Sequence, residues 1–239
     1  MPKNVEKMSL NYSPNFDLKK RSYSKVKYLI IHYTGMTSET GAIKRLTDYT
    51  SKVSCHYFIK TNGEIIQMVP DLYVAWHAGL SSWKKDINLN LKSIGIEISN
   101  PGHNNSYKNF TQKQVKSIIK LLKSLKKKYK IKKENILGHS DIAPLRKKDP
   151  GEKFPWKLLA KKKICLWHNL NEKTCKKLRK KKLIKTNNFY KLLFKFGYKY
   201  TKYSSERAKL LKNFQRRFRP QIISKIVDEE CYAILKSLI

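Results

Sequence analysis

Between Gly138 and Gly151 the chain reads Gly-His-Ser-Asp-Ile-Ala-Pro-Leu-Arg-Lys-Lys-Asp-Pro-Gly, and no regular helix or strand can run its whole length. Pro144 and Pro150 each fix φ and remove a backbone donor. The apolar pair Ile136-Leu137 comes just before, so His139 is expected where a short strand ends and an irregular loop begins. The stretch gathers an imidazole (His139), an ammonium (Lys147) and a carboxylate (Asp149). Loops held by rigid elements are where catalytic and metal-binding side chains collect. Taken alone, the segment reads equally well as a charged surface loop.

Upstream segments change that balance. Residues 27–33 (Lys-Tyr-Leu-Ile-Ile-His-Tyr) form a continuous β-branched and aromatic run, the mark of a buried strand. Thr34-Gly35 ends it, and residues 37–50 can form a helix. Residues 56–60, then Thr61-Asn62-Gly63, then 64–69 read as a hairpin turned by Asn-Gly. Residues 93–99 alternate Ile94, Ile96 and Ile98 with Gly95 and Glu97. Thr111 and Gln114 have the spacing of a capping box, and Val115, Ile118, Ile119, Leu122, Leu125 and Tyr129 follow at helical intervals. Strands mixed with helices, one pair of them a hairpin, predict an α/β fold with a mixed central sheet flanked by helices. Residues 1–25 read as an irregular, polar lead-in.

His32 and Glu97 lie inside strands that are otherwise apolar, where an imidazole or a charge is costly unless it is paired or ligates a metal. A single such histidine is most simply a satisfied core residue. His32, Glu97, His139, Lys147 and Asp149 together suggest more. Two imidazoles and one carboxylate make a tetrahedral zinc site with its fourth position open. Glu97 is then a spare carboxylate for a proton, and Lys147 a fixed positive charge for a developing oxyanion.

Five segments carry a resemblance: Leu29-Ile-Ile-His-Tyr-Thr-Gly35, Ser54-Cys-His-Tyr-Phe-Ile59, Ala75-Trp-His-Ala-Gly79, Ser93-Ile-Gly-Ile-Glu-Ile98, and Gly138-His-Ser-Asp-Ile-Ala-Pro144 continuing through Lys147 to Asp149-Pro-Gly151. In this order, over about residues 25–160, the chain resembles the zinc-dependent N-acetylmuramoyl-L-alanine amidases of type 2, which share their fold with the peptidoglycan recognition proteins. The resemblance implies His32, His139 and Asp149 as ligands of one Zn²⁺, Glu97 as general base and Lys147 as stabiliser of the transition state. It implies hydrolysis of the amide between the lactyl group of N-acetylmuramic acid, or its 1,6-anhydro form, and L-alanine of the stem peptide. Phage members carry a catalytic tyrosine where this chain has Cys55, which puts the base role on Glu97, as in the bacterial branch. Trp76 and His77 are expected at the cleft as substrate contacts, although a structural Trp-His pair propping the loop is the alternative. His56 is expected to be structural.

The net charge of +36 is unevenly spread. Residues 1–160 carry 30 Lys/Arg against 12 Asp/Glu, and 161–239 carry 23 against 5, so each part is +18 while the second is half as long. Such density attracts polyanions or wall carboxylates, yet lysine can equally be a chain's default solvated residue. Residues 161–182 hold ten Lys/Arg and one acid. Three domains follow: 1–160 catalytic, 161–185 a basic linker, perceptibly helix-compatible in part, and 186–239 a small three-helix unit. That last unit, with helices near 189–196, 205–218 and 228–238, loosely resembles the peptidoglycan-binding domain often appended to such amidases; a helical cap without a ligand is the plainer reading. Four scattered cysteines, without a C-x-x-C pair, fit a reducing compartment. The polar start and the lack of an 18-residue apolar run predict a cytoplasmic protein without a transmembrane segment, with a periplasmic or wall-associated place as the alternative. A monomer is expected. Two rival functions stand against the amidase: a non-catalytic peptidoglycan-binding module, disfavoured by the intact ligand set, and a charge-driven nucleic-acid binder, disfavoured because no base-stacking or groove-reading element is evident.

Overall fold

The computed structural model describes residues 8–239; the first seven residues of the polar start lie outside it. The lead-in is less irregular than its composition suggests. It holds β1 (Met8–Leu10) and β2 (Phe16–Asp17), and Arg21 is buried there. Then come β3 (Tyr28–Tyr33) and α1 (Glu39–Thr47), the latter capped by Ser38 Oγ accepting from Gly41 N at 3.0 Å. This helix is shorter than the 37–50 expected, because Asp48 leaves helical geometry and caps a 3₁₀ turn at Tyr49–Ser51. The predicted hairpin is β4 (Tyr57–Ile59) and β5 (Ile65–Gln67), antiparallel, with Gly63 at φ +85° in its turn. Short pieces follow: β6 (Val74–Ala75), β7 (Ser82–Trp83) and β8 (Asp86–Ile87). Next are β9 (Ser93–Ile98) and α2 (Gln112–Lys128), whose Thr111–Gln114 capping box forms as expected.

The central sheet has six strands in the order β1-β5-β4-β9-β3-β10, where β10 is Ile136–Gly138. Every pairing but the hairpin is parallel. Alternation sorts the side chains. Leu29, Ile31, Ile94, Ile96, Ile98 and Ile136 join Ile118, Leu121, Leu122 and Leu125 of α2 in one apolar cluster. Each of these four α2 side chains is fully buried, worth about 1.5–3 kcal/mol apiece relative to exposure. The opposite set on the same strands (Tyr28, Ile30, Leu137) belongs to a second cluster with the C-terminal helices. His32 and Glu97 share that second face at the carboxyl ends of their strands, where open parallel sheets place their sites.

The loop after β10 opens with a single helical turn, α3 (His139–Ile142), before Pro144 stops it. Beyond α4 (Trp156–Lys161), the stretch expected as a linker contains α5 (Glu172–Arg179), with Cys175 buried and Leu183 N bonded to Val227 O at 3.2 Å. The reason is a few apolar side chains among the lysines that find a core. Helices α6 (Thr186–Phe196), α7 (Ser204–Phe218) and α8 (Glu229–Leu238) follow, the three helices expected over 186–239. Trp83 packs edge-on against Phe196 and Tyr198, so the tail and the sheet share one continuous core. Among the described residues no helix is long and apolar enough to cross a membrane.

Candidate active site

β3 and β9 pair in register with His32 opposite Glu97, and β10 lies on the other side of β3, which delivers His139 at its end. The loop then turns back, and Ser140 N donates to Asp149 O at 2.8 Å, folding Asp149 against His139. His32 Nδ1 lies 2.9 Å from His139 Nδ1 and 3.3 Å from Asp149 Oδ2. His139 Nδ1 lies 3.0 Å from the same carboxylate oxygen. One ligand atom from each of the three falls within 4.8 Å of the others, and all three residues are buried.

The surrounding hydrogen bonds set the imidazole tautomers. Ser93 Oγ donates to Leu89 O at 2.6 Å and so accepts from His77 Nε2 at 3.1 Å. His77 Nδ1 is then an acceptor, which receives His32 Nε2–H at 3.0 Å. His139 Nε2–H donates to Ala78 O at 3.2 Å. Both rings therefore turn Nδ1 towards the same carboxylate oxygen, an arrangement that a shared proton or a cation holds together. The donor set, two nitrogens and one oxygen with the outer nitrogens anchored, fits a zinc ion.

Burial lowers His32 to about 4, helped by His139 and opposed by Asp149. Burial pushes the Asp149 carboxyl up, but His139 and then His32 outweigh it and hold it well below the usual carboxylate range. Glu97 is raised to about 8, first by burial and then by the Asp149 charge, with Lys147 opposing. Its Oε1 is 4.0 Å from His32 Nδ1, while Oε2 is buried without a hydrogen-bond partner. An orphaned buried oxygen is costly unless something outside the chain meets it. Glu97, Lys147, His139, Asp149, Trp76 and Tyr33 all line one cavity of about 680 Å³.

The five residues singled out for chemistry thus come together. His77 lies on the lining of that cavity, as expected, with its ring turned inward. It is 9% exposed, and both ring nitrogens are spent on His32 and Ser93, so it backs His32 rather than reaching out to a ligand. Trp76 stays on the cavity lining, with Nε1 donating to Asp17 at 2.8 Å. Cys55 is fully buried against Met68, and burial pushes its thiol well up, as suits a small hydrophobe. His56 is locked between Gly95 N and Tyr73 O, each at 3.0 Å.

Sequence reasoning missed Ser93 and Gly95 as supports of the site. A Cβ on Gly95 would lie 2.3 Å from the His77 ring, so the glycine makes room for it. A lone glycine inside an isoleucine strand was the available signal. His103 ties the rim together, its Nδ1 meeting Tyr33 Oη at 2.8 Å and its Nε2 meeting Glu152 at 3.0 Å.

With this geometry in view, known proteins can be compared. The profile of the N-acetylmuramoyl-L-alanine amidase family matches residues 22–152. The N-acetylmuramoyl-L-alanine amidase AmiD of Escherichia coli K12 is 35% identical over 234 residues, covering 91% of this chain and 84% of its own. The structure of E. coli AmiD in complex with anhydro-N-acetylmuramic acid-L-Ala-D-γ-Glu-L-Lys superposes with a TM-score of 0.81 at 33% identity, covering 93% of this chain and 91% of that one. AmpDH3 from Pseudomonas aeruginosa, solved in complex with anhydromuramic pentapeptide, gives 0.81 at 30% identity, covering 94% and 95%. The chain belongs to the N-acetylmuramoyl-L-alanine amidase family.

Proposed function

We propose that this amidase hydrolyses the bond between N-acetylmuramic acid, preferentially its 1,6-anhydro form, and L-alanine of the stem peptide, using one zinc ion held by His32, His139 and Asp149. The observation that carries the reading is the convergence of three ligand atoms beside an unpartnered Glu97 oxygen on one cavity. The anhydro form is favoured because the AmiD and AmpDH3 complexes contain anhydromuropeptides. When bound, zinc supplies Lewis acidity towards a water or a carbonyl.

The chain's own groups do the rest. Glu97, half-buried with one buried oxygen short of a partner, takes the proton of the attacking water as the lactyl carbonyl becomes tetrahedral. Its raised proton affinity suits the return step, when the same carboxyl gives that proton to the L-alanine nitrogen and the C–N bond breaks. Lys147, on the cavity lining, faces the negative charge that builds on the carbonyl oxygen. His77 and the Ala78 carbonyl hold the two imidazoles in their ligating tautomers. Trp76 is the proposed contact for the sugar or peptide.

The test is digestion of 1,6-anhydro-muropeptide and of intact peptidoglycan by purified protein, followed by mass spectrometry, with and without a chelator. Release of the free stem peptide, faster from the anhydro substrate and abolished by chelator until zinc is restored, is expected. Binding of either substrate without peptide release would overturn the enzyme reading.

A further inference from the structure

The last turns of α7 pass beneath the loop that carries Lys147 and Asp149. Asn213, 2% exposed, donates both amide hydrogens to that loop: to Pro144 O at 2.8 Å and to Lys147 O at 3.0 Å. Its Oδ1 accepts from Arg216 Nη1 at 2.7 Å, so every polar position of the amide is used. Next along the helix, buried Arg217 pairs with Asp141 and donates to Ile136 O at 2.9 Å, gripping the end of β10 and the turn that carries His139. Tyr198 Oη donates to the other Asp141 oxygen at 2.7 Å. The tail thus holds the segment that brings His139, Lys147 and Asp149 to the cavity at Ile136, Asp141, Pro144 and Lys147.

An apolar side chain would suit this core without desolvation cost, so a buried amide aimed at two carbonyls of one loop is specific to the loop's placement. One residue whose carbonyl it holds, Lys147, lines the cavity. A lysine on a flexible four-carbon stem depends on its backbone for where its charge stands. We infer that Asn213 is a positioning residue of the proposed reaction, acting through Lys147, and that the C-terminal helices serve as a built-in buttress of the catalytic loop. This rests on the amidase reading above.

The test is a double-mutant cycle on the full-length, zinc-loaded protein with an anhydro-N-acetylmuramyl tripeptide as substrate. Asn213→Leu is expected to lower kcat roughly ten- to a hundredfold, with KM within about threefold, because small misplacements of catalytic groups cost rate. Zinc content should stay at one per chain. In a Lys147→Ala background the same substitution should change kcat by less than about twofold, since groups that act together are not additive. Should Asn213→Leu fail to fold, Asn213→Ser, which keeps a single donor, is carried through the same cycle with a smaller loss expected. Wild-type kcat in either folded variant would overturn the inference, as would an equal loss with and without Lys147, which denotes general loosening. A wild type that binds zinc but releases no peptide would remove the amidase reading itself, and is distinguishable from both.

Discussion

Two of the buried charged clusters among the described residues differ in how their charges are met. In the tail, Arg179 meets Glu230 through two bonds of 2.6 and 2.8 Å, and Arg219 meets Asp228 and, at 3.3 Å, Glu230. Two guanidinium groups balance two carboxylates, and Asp228 also caps α8 by accepting from Cys231 N at 2.9 Å. At the sheet's end, two carboxylates gather with two imidazoles, and one Glu97 oxygen has no partner. Buried charge that pairs internally stabilises or specifies a fold. Arg219 Nη2 is also buried without a hydrogen-bond partner, but its charge is balanced by Asp228, whereas the Glu97 and Asp149 carboxylates line a cavity, and that placement asks for a ligand.

Four changes would break or sharpen that contrast. The largest effect is expected for Glu97→Ala, with kcat reduced about 10²- to 10⁴-fold while zinc stays bound; full turnover would remove Glu97 from the mechanism. Arg219→Met should leave Asp228 facing the core without its partner and cost about 3–5 kcal/mol in urea unfolding, with zinc stoichiometry untouched. Unchanged stability would mean that the tail cluster contributes nothing as a pair. His77→Ala removes the acceptor behind His32 and should weaken zinc binding about 10- to 100-fold, measured by competition with a chromogenic chelator. Unaltered affinity there would return His77 to the role of a substrate contact.

The smallest effect concerns pH. Glu97 is raised from 4.5 to about 8 in the folded chain without metal. A carboxyl shifted upward contributes stability that is complete below its unfolded pKa and is lost as pH rises through the folded value. Metal-free wild type should therefore lose stability relative to Glu97→Gln between about pH 5 and 9, and bound zinc, adding positive charge, should narrow the gap. Parallel curves for the two proteins would contradict the burial assigned to Glu97.

Much of the site was legible because its residues interrupt strong local patterns. His32 breaks a run of aliphatic residues, Glu97 breaks an isoleucine alternation, and Asp149 sits between a lysine pair and a proline. What the sequence concealed is long-range. Met8–Leu10 pairs in parallel with β5, and a short parallel edge strand leaves no local trace. Cys175 and Leu183, isolated among lysines, reveal their burial only once α8 is beside them. The ring partners of His77, His32 and Ser93, come from two other strands and leave no trace beside it in sequence. Asn213 carries no local signal at all, since its partners lie 66 and 69 residues away.

The central claim is that three side chains close around one divalent cation. Anomalous diffraction at the zinc edge, from crystals grown with one equivalent of Zn²⁺, addresses it directly. A single peak about 2.0–2.2 Å from His32 Nδ1, His139 Nδ1 and an Asp149 oxygen is predicted. Crystals in which those three groups stand apart, with zinc bound elsewhere or not at all, would contradict it.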